Sequence, residues 1–280
     1  MVFQLEADSQ SDGFSVPQAY IPFQVEEGEP EICITAHSGM LGQWGGELVF
    51  DSKGPWKLWR LDGQLQLSLH NSPDRKDPYQ VALVDDEFTS VDIYTEQSVI
   101  DTWDRYFPMN YPLDEVVAVN RLAFGHGIEV HASGISDSGR GILFLGVSGS
   151  GKSTMSRLWD EDKDVTVLSD DRIIITPRQD GFWIHGTPWH GDAGLADPAG
   201  VRLEAIFFIG HAPENRAAPI GAGHAASQML ARSFPTFWRK EGMQYSAGLT
   251  AEIAQSVPRF QFDFAPGRPA VEYVRELLGS

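Results

Sequence analysis

The stretch Gly141 to Thr154, Gly-Ile-Leu-Phe-Leu-Gly-Val-Ser-Gly-Ser-Gly-Lys-Ser-Thr, constrains the fold more than any other part of the chain. Ile142 to Leu145 form a short apolar run suited to a buried strand. Gly146 to Ser153 then fit the pattern G-x-x-x-x-G-K-[ST], a phosphate-binding P-loop. Glycines at 146, 149 and 151 let the backbone fold tightly, with N–H groups turned inward toward an anion. In that pattern Gly146, Ser148, Gly149, Ser150, Gly151, Lys152, Ser153 and Thr154 surround the phosphates. Lys152 supplies positive charge and Ser153 a hydroxyl for Mg²⁺. Met155 to Trp159 continue as a helix whose positive end faces the anion.

A P-loop specifies a nucleotide and not a reaction. The run Val165-Thr-Val-Leu-Ser-Asp170-Asp171 is a β-branched strand ending in two carboxylates, the arrangement a metal-binding acidic motif needs. The plainer reading is a pair of solvated loop acids. Asp170 lies only 18 positions after Lys152, so the chain is expected to come straight back in a hairpin-like return.

The short spacing and the sequence Asp170-Asp171-Arg172 resemble the bacterial HPr kinase/phosphorylase family, P-loop kinases related to phosphoenolpyruvate carboxykinase. The matching pieces are His131-Ala132, Gly139 to Leu145, Gly146 to Ser153 and Asp170-Asp171, so the likeness covers about residues 125 to 180. Two features depart from the family. Thr154 stands where the family usually has Glu after the P-loop Ser, and Gly186-Thr-Pro-Trp-His-Gly-Asp replaces the family's Glu-x-Arg-Gly segment. The resemblance therefore implies the fold and the nucleotide chemistry more than the acceptor. It implies ATP and Mg²⁺, a base at Asp170 and a metal contact at Asp171 beside Ser153, with the reverse order of the two aspartates left open, and a place near the phosphates for His131. Read from the residues alone, His131 is equally a satisfied core histidine.

Composition narrows the classes. With 39 Asp and Glu against 21 Lys and Arg, the net charge is −18, which argues against a nucleic-acid groove or an anionic membrane surface. Apolar residues make up 42% of the 280 positions, enough for a large core and one or two domains. No apolar run approaches a membrane span, and Met1-Val-Phe-Gln-Leu-Glu does not read as a signal peptide. The single Cys33 excludes an intramolecular disulfide and is read as a structural thiol in a short strand; a cytoplasmic location is expected.

Residues 1–18, polar and without periodicity, read as a flexible arm, and 19–112 as a β-rich N-terminal domain. Its clearest element is a hairpin, Pro55 to Leu61 and Gln64 to Leu69 about Asp62-Gly63, with Leu65, Leu67 and Leu69 alternating onto one face. Trp44, Trp56 and Trp59 read as core or sheet-face residues, with a carbohydrate-binding face as the sharper alternative. A helix is expected over Leu113 to Phe124, opening a P-loop domain over 113–280.

Within that domain, Gly127 to Ile135 with Arg140 to Leu145, and Arg172 to Pro177 with Gly181 to Gly186, read as hairpins. Strands are expected at 201–210 and 259–264, helices at 225–233 and 246–257, and a closing helix from Pro269. Thr187 to Gly200 is too irregular for an element and reads as a functional loop, with His190 or Asp192 positioned for substrate. Arg232, Arg239, Arg259 and Arg268 are unranked candidates to reach the phosphates.

The fold class expected is α/β (α+β), a P-loop kinase core of the HPr kinase/phosphoenolpyruvate carboxykinase type with a β-rich N-terminal domain. The function expected is ATP- and Mg²⁺-dependent transfer of the γ-phosphoryl group, with Lys152 at the phosphates and Asp170 as base. The family implies a serine of a protein or peptide as acceptor. A small-alcohol kinase and a nucleotide-gated binding module without transfer remain alternatives, and the sequence leaves a homo-oligomer open.

Overall fold

The computed structural model describes residues 1–8, 13–72 and 76–279. The chain is mixed α/β with two sheets and divides into two units, one of 1–18 with 24–121 and one of 19–23 with 122–280. The division falls inside the helix expected to link the two halves.

The first unit is built on a seven-stranded sheet. Its strands are β1 (Phe3–Ala7), β2 (Ile32–Gly39), β3 (Glu47–Asp51), β4 (Trp56–Leu61), β5 (Gln64–Leu69), β6 (Gln80–Val84) and β7 (Ser90–Glu96). Their order is β1-β2-β7-β6-β5-β4-β3; β1, β2 and β7 run parallel and the remainder pair antiparallel. Asp62 and Gly63 both have positive φ, 50° and 87°, as a type I′ turn between β4 and β5 requires.

Two expectations are corrected in this unit. The supposed arm contributes β1, whose backbone pairs with Ile32–Ala36 even though its side chains lack a buried stripe; residues 9–12 lie outside the described residues. An edge strand draws its order from main-chain hydrogen bonds, so side-chain periodicity does not reveal it. Cys33 points outward from β2 and is exposed, because its neighbours Ile32 and Ile34 take the buried face. The leucine face of β5 is buried as expected, and its other face is covered too. Trp59 Nε1 donates to Ser68 Oγ at 2.8 Å, and Trp44 packs edge-on against Trp59.

Two helices, α1 (Gln97–Ile100) and α2 (Leu113–Leu122), lead to the second unit. Its elements in order are β8 (Ile128–Asp137), β9 (Arg140–Leu145), α3 (Lys152–Asp160), β10 (Val165–Ser169), β11 (Arg172–Arg178) and β12 (Gly181–His185). There follow β13 (Gly200–His211), β14 (Arg216–Pro219), α4 (Ala222–Leu230), α5 (Lys240–Ser256), β15 (Arg259–Phe264) and α6 (Arg268–Leu277). They form an eight-stranded sheet in which β9 lies between β8, antiparallel to it, and β13, parallel to it; β15 runs parallel on the far side of β13.

The apolar run of β9 follows from burial on both faces. Leu143 and Leu145 join the core beneath α4 and α5, with Met229, Leu249 and Ile253. Ile142 and Phe144 join the opposite core with Met155 and Trp159 of α3 and Val271 and Val274 of α6. The α5 helix starts six residues earlier than the sequence suggests, at Lys240. Gly242 and the polar side chains of that first stretch hide it, although Gly242 is needed there: a Cβ would run into Thr236 Oγ1.

The return after β9 is also corrected. Both β9 and β10 pair antiparallel with β8, so β10 runs in the same direction as β9 with β8 between them. The connection is a crossover through α3, not a hairpin-like return. Nine helical residues rise about 13 Å, which suffices to carry the chain back along the sheet. This crossover is what brings the end of β10 to the same end of the sheet at which β9 enters its glycine loop. Among the described residues no helix is long and apolar enough to cross a membrane.

Candidate functional site at the end of β9

The loop after β9 is shaped by its glycines. Gly149 and Gly151 hold φ of 77° and 101°, in the left-handed region that favours glycine. A Cβ at Gly146 would run into Ser150 Oγ, and one at Gly151 would come within 2.7 Å of Phe264 Cζ. The turn closes on itself by a Ser150 N–H donated to Val147 O at 3.1 Å. Opposite, His211 Nε2 donates to Gly149 O at 3.0 Å. Gly151 is followed directly by α3, so the free N–H groups of the first helical turn stand at the loop.

Lys152 lies beneath this loop, only 7% exposed, and donates to Gly146 O at 3.1 Å and Val147 O at 3.3 Å. Burial lowers its pKa from the ordinary lysine value. The negative charges of Asp171 and Asp170 oppose that shift, and the positive charges of Arg232 and Arg172 add to it. Ser150 is buried, and its Oγ lacks a hydrogen-bond partner among the described residues. Ser148 is exposed at the tip of the loop, while Ser153 and Thr154 are half-buried in the first turn of α3.

The two carboxylates after β10 face different surroundings. Asp170 is 1% exposed, and both of its oxygens are taken. Gly191 N–H donates to Oδ1 and Ala193 N–H to Oδ2, each at 2.8 Å. Asp171 retains 28% side-chain exposure. His131 Nε2 donates to its Oδ1 at 2.9 Å, and Arg172 Nη1 holds its Oδ2. Burial alone would raise the Asp171 pKa, but the His131 hydrogen bond and the charges of Arg172 and Lys152 outweigh it and hold the carboxyl below the usual range.

Sequence reasoning passed over the residues that hold this pair. Ser169 Oγ accepts from the Asp171 and Arg172 backbone N–H groups, both at 3.2 Å, and donates to Trp189 O. The Arg172 side chain reaches the buried Glu129 at 3.3 Å and lies over the Phe234 ring. A serine directly before Asp-Asp is a turn signal that was available; Glu129 sits on a strand and gives none.

The loop from Thr187 to Gly200 is fastened to the same place. Thr187 Oγ1 donates to Arg172 O at 2.8 Å, and Asp197 N–H to Leu168 O at 2.9 Å. Of the two loop residues expected to position substrate, His190 is exposed and donates Nδ1–H to the neighbouring Gly191 O. Asp192 is also exposed, and among the described residues only its main-chain carbonyl is engaged, by Arg157 Nη2 at 2.8 Å. His185, at the end of β12, is hydrogen-bonded through Nε2 to Thr176 Oγ1 at 2.9 Å.

The geometry thus gathers the glycine loop, Lys152, His131 and Asp171 at one end of the sheet. Asp170, expected as a base, is the fastening point of the 187–200 loop. Both of its oxygens accept main-chain N–H groups in a place closed to solvent, whereas the Asp171 side chain stays partly open. Among the described residues no group of three or more His, Cys, Asp or Glu side chains is placed to hold a metal. A hydroxyl and a single carboxylate suit Mg²⁺ that arrives bound to phosphates, because that ion is seldom held by an all-protein cage.

Comparison with known proteins gives three findings. The family model of SynChlorMet cassette protein ScmC matches residues 101–257, more than half of the chain. No curated protein matches. A structure of the Hpr(Ser) kinase/phosphatase from Coxiella burnetii is similar at 16% identity over 54% of this chain and 92% of that one; its TM-score of 0.31 is too low to carry an argument.

Proposed function

The chain belongs to the family of SynChlorMet cassette protein ScmC, and from its site geometry we propose that it is an ATP- and Mg²⁺-dependent phosphotransferase acting on a hydroxyl. The observation that carries this reading is the convergence of the glycine loop, buried Lys152 and the half-open Asp171–His131 pair at one end of the sheet. A nucleotide-binding module without transfer needs the first two features and has no use for the third.

The loop amides and Lys152 hold the β- and γ-phosphates. Lys152, which donates to Gly146 O and Val147 O, would supply charge-assisted hydrogen bonds to the phosphate oxygens of a bound nucleotide. Ser153 and the phosphate oxygens would hold Mg²⁺, which supplies charge neutralisation when bound. Asp171 is the carboxylate that meets the acceptor, oriented by His131 and Arg172. A carboxyl with a lowered pKa is a weak base. Phosphoryl transfer through a loose transition state asks mostly for positioning and charge stabilisation, so a weak base is sufficient. Asp170 positions the 187–200 loop, and that loop selects the acceptor, a serine of a protein or peptide.

The test is nucleotide-dependent stability of the full chain. With Mg²⁺ and ATP at 100 Kd, unfolding should cost about 2.7 kcal/mol more, a rise of roughly 5–11 °C for a domain of this size. Lys152→Ala should abolish most of that rise. A wild-type melting curve that does not move with millimolar ATP, ADP or GTP in the presence of Mg²⁺ overturns the proposal.

A further inference from the structure

Arg232, Arg239, Arg259 and Arg268 are the arginines that the sequence offers to the phosphates, and their surroundings differ. Arg268 forms two 2.7 Å bonds with Asp162, its charge already matched. Arg239 lies over the Phe124 ring at 3.7 Å, within reach of Glu241. Arg259 stands at the entering end of β15, level with Ile206 and so with Leu143, and turns back to Val257 O; the P-loop leaves from the other end of these strands.

Arg232 differs from all three. It follows α4 and is clamped by its main chain: its N–H donates to Met229 O at 3.0 Å, and its carbonyl accepts the His131 N–H at 2.7 Å. Ser233 bridges Val130, which locks the segment beside β8. Its Nη1 donates to Gln228 O at 2.9 Å, while Nε, like Arg239 Nη1 and Arg259 Nε, is buried with no hydrogen-bond partner among the described residues, so that what sets Arg232 apart is its place beside His131 and Lys152. Among the described residues no carboxylate pairs with it, although Arg172 close by has both Asp171 and Glu129. Its charge is near enough to Lys152 to lower that residue's pKa. An unpaired, half-buried cation is costly unless an anion completes it, and a guanidinium fork suits phosphate oxygens in particular.

We propose that Arg232 is a catalytic residue that contacts the γ-phosphoryl group, held in place by its main-chain link to His131. The inference rests on the nucleotide-binding reading above. Its function is to bind the phosphoryl oxygens opposite Lys152 and to stabilise the charge that spreads over them during transfer.

The experiment is calorimetric titration of the full chain with Mg²⁺–ADP and with a non-hydrolysable Mg²⁺–ATP analogue. Wild type is compared with Arg232→Gln and Arg232→Lys. Arg232→Gln should weaken the triphosphate analogue about 10- to 150-fold, the worth of a charged hydrogen bond, and leave ADP within about twofold. Arg232→Lys, which keeps the charge and loses the fork, should recover part of the affinity and carries the test if the Gln variant does not fold. Equal weakening of both nucleotides, or of neither, overturns the role of Arg232 while the P-loop reading survives. If wild type binds neither nucleotide, the P-loop reading falls and this one with it.

Discussion

Gly191 donates its backbone N–H to Asp170 Oδ1 across 2.8 Å, and with the Ala193 N–H on Oδ2 this makes a buried aspartate the anchor of an irregular loop. The bonds join residues 21 and 23 positions apart in the chain. Substitution to Asn keeps the shape and one acceptor but turns an NH₂ group toward an N–H donor. Leaving a buried donor unsatisfied costs about 1–3 kcal/mol. Asp170→Asn should therefore melt about 2–12 °C lower by calorimetry, with ATP binding preserved. A variant that melts like wild type yet has lost transfer would return the base role to Asp170.

Asp171→Asn probes the chemistry. Transfer should fall by about 10²–10⁴-fold, the usual worth of a general base. The Kd for ATP and the Mg²⁺ concentration for half-maximal rate should stay within a few-fold of wild type. A large rise in the Mg²⁺ requirement would make Asp171 the metal ligand that the family resemblance implied.

Trp189 tests the acceptor loop. Its carbonyl is fixed by Ser169 Oγ, and the side chain is half-buried. Trp189→Ala should raise the KM for a serine-bearing peptide and leave the Kd for ATP intact. Equal loss of both, or labelling confined to free sugars in a screen of peptides and metabolites, refutes the assignment of the loop and of the acceptor class.

His185 makes stability depend on pH. Burial first, and the Arg178 charge second, depress its pKa from 6.5 to about 4. The unfolded chain then binds a proton below about pH 6.5 that the folded chain refuses, so stability falls as pH drops from 6.5 toward 4 and is flat above that window. After allowance for solvent screening of a partly buried group, the loss is roughly 1–2 kcal/mol. His185→Gln should flatten this part of a denaturant-midpoint profile between pH 4 and 7; an unchanged slope would show that other groups carry it.

The sequence by itself determined the elements whose chemistry is local. The G-x-x-x-x-G-K-[ST] spacing, the apolar β9, the Asp62-Gly63 turn and the strand ending in Asp-Asp each follow from neighbours a few residues apart. Backbone freedom, burial and charge are all written in such short stretches. The tertiary structure alone decided relationships across long separations. It set the direction of β10 relative to β9, because α3 carries the chain across β8. It gave two adjacent aspartates opposite environments: successive side chains leave the backbone on different sides, so Asp170 meets the amides of a distant loop and Asp171 meets His131 and Arg172. It also left Arg232 without a carboxylate among the described residues while pairing Arg268 with Asp162, 106 positions away. No pattern along the chain encodes which distant groups will share a volume from which water is excluded, and it is that exclusion that makes the neighbouring charges matter.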